Sequence, residues 1–147
     1  QVQAGVTLQQ SHYSKPHIWN KEAPAVKKMM RTPNTYGYFT ATYTPIKPLS
    51  IALSGTYTGS MLVPHEPVPG FLENPITVNT KDFFDIGLKA AYDFKLYKSM
   101  NLQVNAGIQN IFNAYQNDFD KGADRDSGYI YGPSLPRSFF AGVKISY

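Results

Sequence analysis

From Ser138 to Tyr147 the chain alternates without a break. Phe139, Ala141, Val143, Ile145 and Tyr147 fall on one side, and Ser138, Phe140, Gly142, Lys144 and Ser146 on the other. Successive side chains of a strand point to opposite faces, so this segment reads as a strand with one apolar face. It stops on an aromatic residue with no polar tail, whereas most domains end in a few loose residues. A half-apolar strand of this kind needs neighbours in register and something apolar against its face.

Five further stretches supply the neighbours. Val2, Ala4, Val6 and Leu8 alternate with Gln3, Gly5, Thr7 and Gln9, and Phe39, Ala41 and Tyr43 alternate with Thr40, Thr42 and Thr44. The others run from Leu49 to Thr58, from Phe84 to Lys95 and from Asn101 to Gln109. No segment shows the helical period of about 3.6; a short loop helix is expected at most, over Pro24 to Arg31. Aromatic content of 11 Tyr and 9 Phe against 1 Trp also suits β structure. The fold class read from the chain is all-β.

Composition removes several functions. There is no Cys, which excludes disulfides, thiol catalysis and Cys-based zinc sites together. No apolar run reaches the roughly 18 residues of a transmembrane helix. The mean hydropathy of -0.33 does not separate a soluble sheet from transmembrane strands, because every second residue is polar in both.

The connections add a direction. Pro45 to Pro48 and a few residues around Leu96 to Ser99 form short links, while Ser14 to Asn34, Leu62 to Asp82 and Ile111 to Pro136 are long. Short and long alternate strictly, so an up-and-down meander gathers every long connection at one end. Aromatics lie near the strand ends, at Tyr36, Tyr38, Phe83, Phe84, Tyr92, Phe94 and Tyr97. Both features belong to outer-membrane barrels. The pattern predicts antiparallel, up-and-down transmembrane β-barrel strands in a Gram-negative outer membrane, with both ends of the segment periplasmic. Six strands cannot close around an interior filled by side chains, and an open edge cannot face lipid. Residues 1–147 are therefore expected to be the C-terminal portion of a larger barrel. Its remaining strands would lie upstream or in another chain. A passive porin-like channel and a soluble antiparallel binding domain with its apolar face packed inward are the competing readings.

Two segments sharpen this. Ala106-Gly107-Ile108-Gln109-Asn110-Ile111-Phe112-Asn113-Ala114-Tyr115 resembles the penultimate strand of TonB-dependent outer-membrane receptors and its exit from the membrane. Gly132-Pro133-Ser134-Leu135-Pro136-Arg137-Ser138-Phe139-Phe140-Ala141-Gly142-Val143-Lys144 resembles the approach to their final strand. The resemblance implies a barrel of about 22 strands with an N-terminal plug, importing a ferric chelate, haem, cobalamin or glycan. The energy would come from the TonB complex, which engages a segment these residues do not contain. It also implies that Phe139, Val143, Ile145 and Tyr147 form the signal read by the barrel-assembly machinery.

No catalytic constellation emerges: the three histidines, His12, His17 and His65, lack a Cys or His-x-x-x-His partner. A non-enzymatic role is the reading. Candidate ligand contacts on the long connections are His17, Trp19, Lys27, Lys28, Arg31, His65, Tyr129 and Tyr131. Lys15, Lys21, Lys27, Lys28 and Arg31 face a single acid, Glu22, so that connection attracts anions: lipopolysaccharide phosphates or an anionic chelate. Nucleic acid is not expected, because no stacking platform shares that face. Asp118, Asp120, Asp124 and Asp126 put carboxylates at alternate positions beside Gly122 and Gly128. That composition suits calcium, but Lys121 and Arg125 favour a salt-bridged strand extension or hairpin, and no cofactor is required. Deleting Tyr147 from the full-length protein is expected to impair outer-membrane assembly, read from the yield of folded protein in outer-membrane fractions. Unchanged yield would count against the signal.

Overall fold

The computed structural model describes residues 1–97 and 99–147. Ten strands and no helix are found among them: β1 (Val2–Leu8), β2 (His12–His17), β3 (Val26–Lys28), β4 (Thr35–Ile46), β5 (Leu49–Thr58), β6 (Leu62–His65), β7 (Ile76–Asn79), β8 (Phe83–Lys95), β9 (Asn101–Gln109) and β10 (Ser138–Ser146). Six of them form one antiparallel sheet in the order β1-β4-β5-β8-β9-β10. These are the six alternating stretches, each hydrogen-bonded to its sequence neighbour among them. The sheet is open, with β1 and β10 as its edges.

Register brings the apolar sets together. Directly opposed residues share a face, and one row runs Val2, Ala41, Leu53, Leu88, Ile108, Phe139 across all six strands. The next rows are Tyr43, Ile51, Ala90, Ala106, Ala141 and then Leu49, Tyr92, Val104, Val143. A slip of one residue at any ladder would turn half of this face over. The opposite face carries Gln3, Thr40 and Ser54 in one row and Asp93, Gln103 and Lys144 in another. There Gln103 Nε2 donates to Asp93 Oδ1 at 2.9 Å.

Among the described residues no second layer covers the apolar face. Val6 is 73 % exposed and Val143 66 %. The buried core lies elsewhere: Val63, Phe83, Tyr129 and Tyr131, flanked by Met61, Val78 and Ala114, cluster at the long-connection end. Phe83 stands in register with Thr58 on the polar face, so the core sits on that side of the sheet.

The short links are at the other end. β4 and β5 meet through Ile46 and Leu49, with a bulge between Tyr43 and Ile46 that holds Pro45, a residue with no N–H to donate. The link from Lys95 to Asn101 includes Lys98, which lies outside the described residues. Both chain ends lie at this end, since Gln1 N donates to Thr42 O at 2.8 Å and Ser146 pairs with Asn101.

The long connections are more ordered than loops. β2 and β3 continue the β1–β4 hairpin upward through Gln9 N to Asn34 O and Met29 N to Ser11 O. β6 and β7 likewise continue β5–β8 through Thr80 N to Met61 O. The helix expected over Pro24 to Arg31 is therefore absent: Val26–Lys28 pairs with β2, and the donors a helical turn would use go to the neighbouring strand. The third connection, from Asn110 to Arg137, contains turns but no strand, so neither the strand extension nor the hairpin expected over Asp118 to Gly128 forms.

Three glycines oppose aromatic rings: Gly5 faces Tyr38, Gly55 faces Phe39 and Gly107 faces Phe140. Each ring leans into the space a Cβ would occupy. At Gly107 a Cβ would also meet Leu88 O at 2.6 Å, a backbone atom that cannot swing away. At Gly5 the nearest atoms belong to the exposed Tyr38 ring alone. Gly107→Ala is thus expected to cost about 1–3 kcal/mol of overpacking, and Gly5→Ala less than about 1 kcal/mol. Denaturant titration of the two variants checks the order.

Candidate functional site

The base of the third connection is clamped by residues of the two segments that carry the resemblance. Asn110 is almost fully buried and adopts φ 49, a left-handed conformation that Asn tolerates. Its Nδ2 donates to Ala114 O and Leu135 O, both at 2.9 Å, and its Oδ1 accepts from Ala114 N at 2.8 Å. Asn113, at φ 53, accepts from Arg137 N, and Arg137 Nε donates to Ile111 O at 2.8 Å. The two ends of a long connection are so held together before it crosses the sheet.

Above this base Gln116 is buried and donates to Tyr129 O while accepting from Tyr131 N. That fixes both tyrosines over Phe83. Their hydroxyls converge on one carboxylate: Tyr129 donates to Asp118 Oδ2 at 2.8 Å and Tyr131 to Asp118 Oδ1 at 2.5 Å. Burial raises Asp118, but the bonds from Tyr131 and Tyr129 outweigh it and hold the carboxyl below its ordinary range. Burial, and then Asp118, push Tyr131 up to about 12 and Tyr129 further in the same direction.

Tyr129 also stacks on His65, with centroids 3.8 Å apart and planes 3° from parallel. His65 Nε2 lies 2.9 Å from Asp120 Oδ2, and both side chains are buried. Asp120 accepts from Asp126 N as well, and Asp126 accepts from Glu66 N and Gly128 N. Arg31, at the top of the first hairpin, donates to Ile130 O at 3.1 Å and to Gly128 O. Asn20 reaches Glu66 Oε2 at 2.8 Å. The third connection is thus pinned by both hairpins, and the three form one cap.

The cap brings together four of the eight candidate contacts: Arg31, His65, Tyr129 and Tyr131. No hydrogen bond or ring contact among the described residues joins the other four to this cluster. His17 packs on Tyr13, with centroids 4.6 Å apart, Trp19 lies near the tip of the first hairpin and Lys27 and Lys28 are on β3. Asp118, Asp120 and Asp126 all accept protein donors, and no group of three metal-ligating side chains converges among the described residues. Asp124 lines a recess beside Phe71 that Asp118 and Asp120 also border. The salt bridges expected of Lys121 and Arg125 are not formed: Lys121 lies over the Phe119 ring and Arg125 donates to Gly122 O. Of the assembly-signal residues, Phe139, Val143 and Ile145 lie on the apolar face of β10 and Tyr147 follows it, fully exposed.

No known protein family, curated protein or solved structure matches this chain.

One surface open to a ligand is a groove of about 320 Å³ along the third connection, where Tyr115, Phe119, Arg125, Ser127 and Ile130 lie beside the buried tyrosines. It offers exposed apolar side chains and a guanidinium, groups that can bind a ligand. Sequence reading missed Asn110, Gln116 and Arg137 as positioning residues. The first and last lay within the segments that carry the resemblance, but Gln116 carried no signal at all.

The Tyr131 phenol has a folded value above its unfolded value of about 10. Its contribution is fully present below about pH 10 and is lost as pH rises through about 12. Phenolate absorbance of the protein in detergent should show a late-ionising step that Asp118→Asn moves to lower pH. An unchanged titration would contradict the shared carboxylate.

Proposed function

We propose that this chain forms part of the wall of a TonB-dependent outer-membrane receptor that imports a scarce nutrient, contributing six neighbouring strands and three extracellular connections. The observation that carries the reading is the apolar face, continuous in register across six strands and covered by nothing. Buried against lipid it is stable, whereas left in water it is an interaction surface on the scale that monomeric soluble proteins avoid. Strands β4, β5, β8, β9 and β10 have 12, 10, 13, 9 and 9 residues, against the roughly 9–11 that cross a bilayer.

The polarity of the ends supports the same orientation. Short links and both chain ends would face the periplasm, and the cap would face outward. The remaining strands and the plug would abut the free edges and the polar face. The TonB complex would act through a segment outside these strands, and the assembly machinery would read the β10 apolar residues with Tyr147. The groove on the third connection is the ligand contact this part of the wall offers, and no catalytic role is assigned.

A soluble binding domain is disfavoured by the uncovered apolar face. A passive channel would need a connection that narrows the pore, whereas all three connections here are tied to one another in a cap.

Leu53 and Ser54 are neighbours on opposite faces near the middle of β5, so they test the reading as a pair. An Arg on the lipid side near the midplane costs about 2–4 kcal/mol, and one on the lumen side far less. Leu53→Arg should abolish assembly into the outer membrane, while Ser54→Arg should assemble normally, read by fractionation and heat-modifiable gel mobility. Equal assembly of both variants would sink the proposal.

A further inference from the structure

The second and third connections enclose a recess of about 490 Å³ between them, and each lends it one large ring. Phe71 comes from the second and is 77 % exposed, while Phe119 comes from the third and is 45 % exposed. The Phe71 turn is closed by the backbone. Val68 and Leu72 exchange both hydrogen bonds at 2.8 Å, and Phe71 N donates to Val68 O at 3.0 Å. Val68 is itself buried, and Gly70 supplies the positive φ of 77 within the turn. A well-anchored turn thus holds a ring in water. That ring lies outside the buried core and makes no ring contact among the described residues.

The charge on the walls is one-sided. Among the described residues that line the recess, Asp118, Asp120 and Asp124 stand against Lys121 alone. Lys121 makes an ion pair with none of them, and its ammonium lies over the Phe119 ring, 5.9 Å from the centroid. Asp118 accepts the hydroxyls of Tyr129 and Tyr131, neutral donors that occupy its oxygens and leave its charge standing. Asp120 is engaged by His65 and Asp126 N. Asp124 has no hydrogen-bond or ion-pair partner among the described residues. Arg125 lines the neighbouring groove and donates to Gly122 O. Even with Asp120 matched by His65, two carboxylates face one ammonium.

These features select a ligand class. A neutral hydroxylated ligand needs free acceptors within hydrogen-bond reach, and two of the three carboxylates are occupied. An inorganic cation needs several oxygens converging on one point, and no group of three metal-ligating side chains converges among the described residues. An organic cation without N–H groups needs neither. Carboxylate charge attracts it at a distance, and its methyl groups pack on ring faces whose quadrupole favours the cation. Lys121 over Phe119 already shows a cation held against one of these rings.

We propose that this recess binds the quaternary ammonium head of a small organic cation. Phe71 and Phe119 meet its methyl groups, Asp124 is its counter-ion, and the Lys121 ammonium is what it displaces. The recess lies in the cap, outside the six-stranded sheet, so the proposal does not rest on the membrane reading.

The test titrates the full-length protein in a maltoside detergent with choline, read by isothermal titration calorimetry. Two controls accompany it: the uncharged tert-butyl analogue of choline, in which carbon replaces nitrogen, and potassium ion at equal concentration. Choline is expected to saturate one site, with the analogue at least about tenfold weaker and potassium failing to displace it. Phe71→Leu keeps the apolar volume without the ring and should weaken choline about fivefold. Asp124→Asn should weaken it about threefold or more. Lys121→Gln removes the competing cation and should tighten binding about threefold, a gain that a damaged fold does not produce. All three side chains are on the surface, and none contributes to the buried core. The proposal is overturned if the uncharged analogue binds as well as choline, or if potassium displaces choline. Phe71→Leu and Lys121→Gln both binding like the parent would overturn it too. None of these outcomes bears on the Leu53 and Ser54 comparison, which reads membrane assembly.

Discussion

Everything in this structure depends on strand register. Five antiparallel ladders must each be placed to the residue, because side chains repeat with period two and a single slip exchanges the faces. The pairing of Leu53 with Leu88 between β5 and β8 stands at the centre of this constraint. From it the apolar rows extend in both directions to Val2 and Phe139. Hairpin links as short as that between Ile46 and Leu49 fix two of the five registers locally, and the rest are fixed by matching apolar sets. Local and long-range preferences agree, which is the condition for a sheet that forms in one way.

The same ladders extend beyond the sheet at the other end, and this is where the chain departs from a plain antiparallel meander. The first two long connections inherit the twist and direction of the strands beneath them. The third has no such stem and is organised by side chains: Asn110 and Arg137 at its base, Gln116 in its middle, and Asp118 between two tyrosines. The neutral hydroxyls of Tyr129 and Tyr131 and the backbone N–H groups take the place of the ion pairs a charge-rich connection would be expected to make.

How much of this could be read in advance follows from the range of each interaction. The six main strands were legible because alternation is local and each carries one apolar set. Strands β2, β3, β6 and β7 were not. His12–His17 and Val26–Lys28 are polar, charged or Pro-containing, and they exist because the β1–β4 ladder below them continues, not because of their own propensity. Pro24 to Arg31 carries no alternation of its own, which is why a short loop helix is the most its sequence suggests. In the cap, alternate aspartates announced a polar turn but not its donors. That Asp118 meets tyrosines eleven and thirteen residues on, and that Asp120 meets His65 from a different connection, are facts of tertiary contact with no trace in local spacing. The chemistry of any ligand has no such trace either, since the groove along the third connection is built from residues that only the tertiary fold brings together.

The rings of Tyr38 and Phe140 lie across Gly5 and Gly107 on the polar face. A ring that leans over a neighbouring strand does not stand up from the sheet, so two of the largest side chains on this side add little height. Ser54 and Gly87, paired in the row between them, are small as well. A ring laid over glycine backbone keeps water from the ladder bonds beneath it, so part of this open sheet is covered by its own side chains.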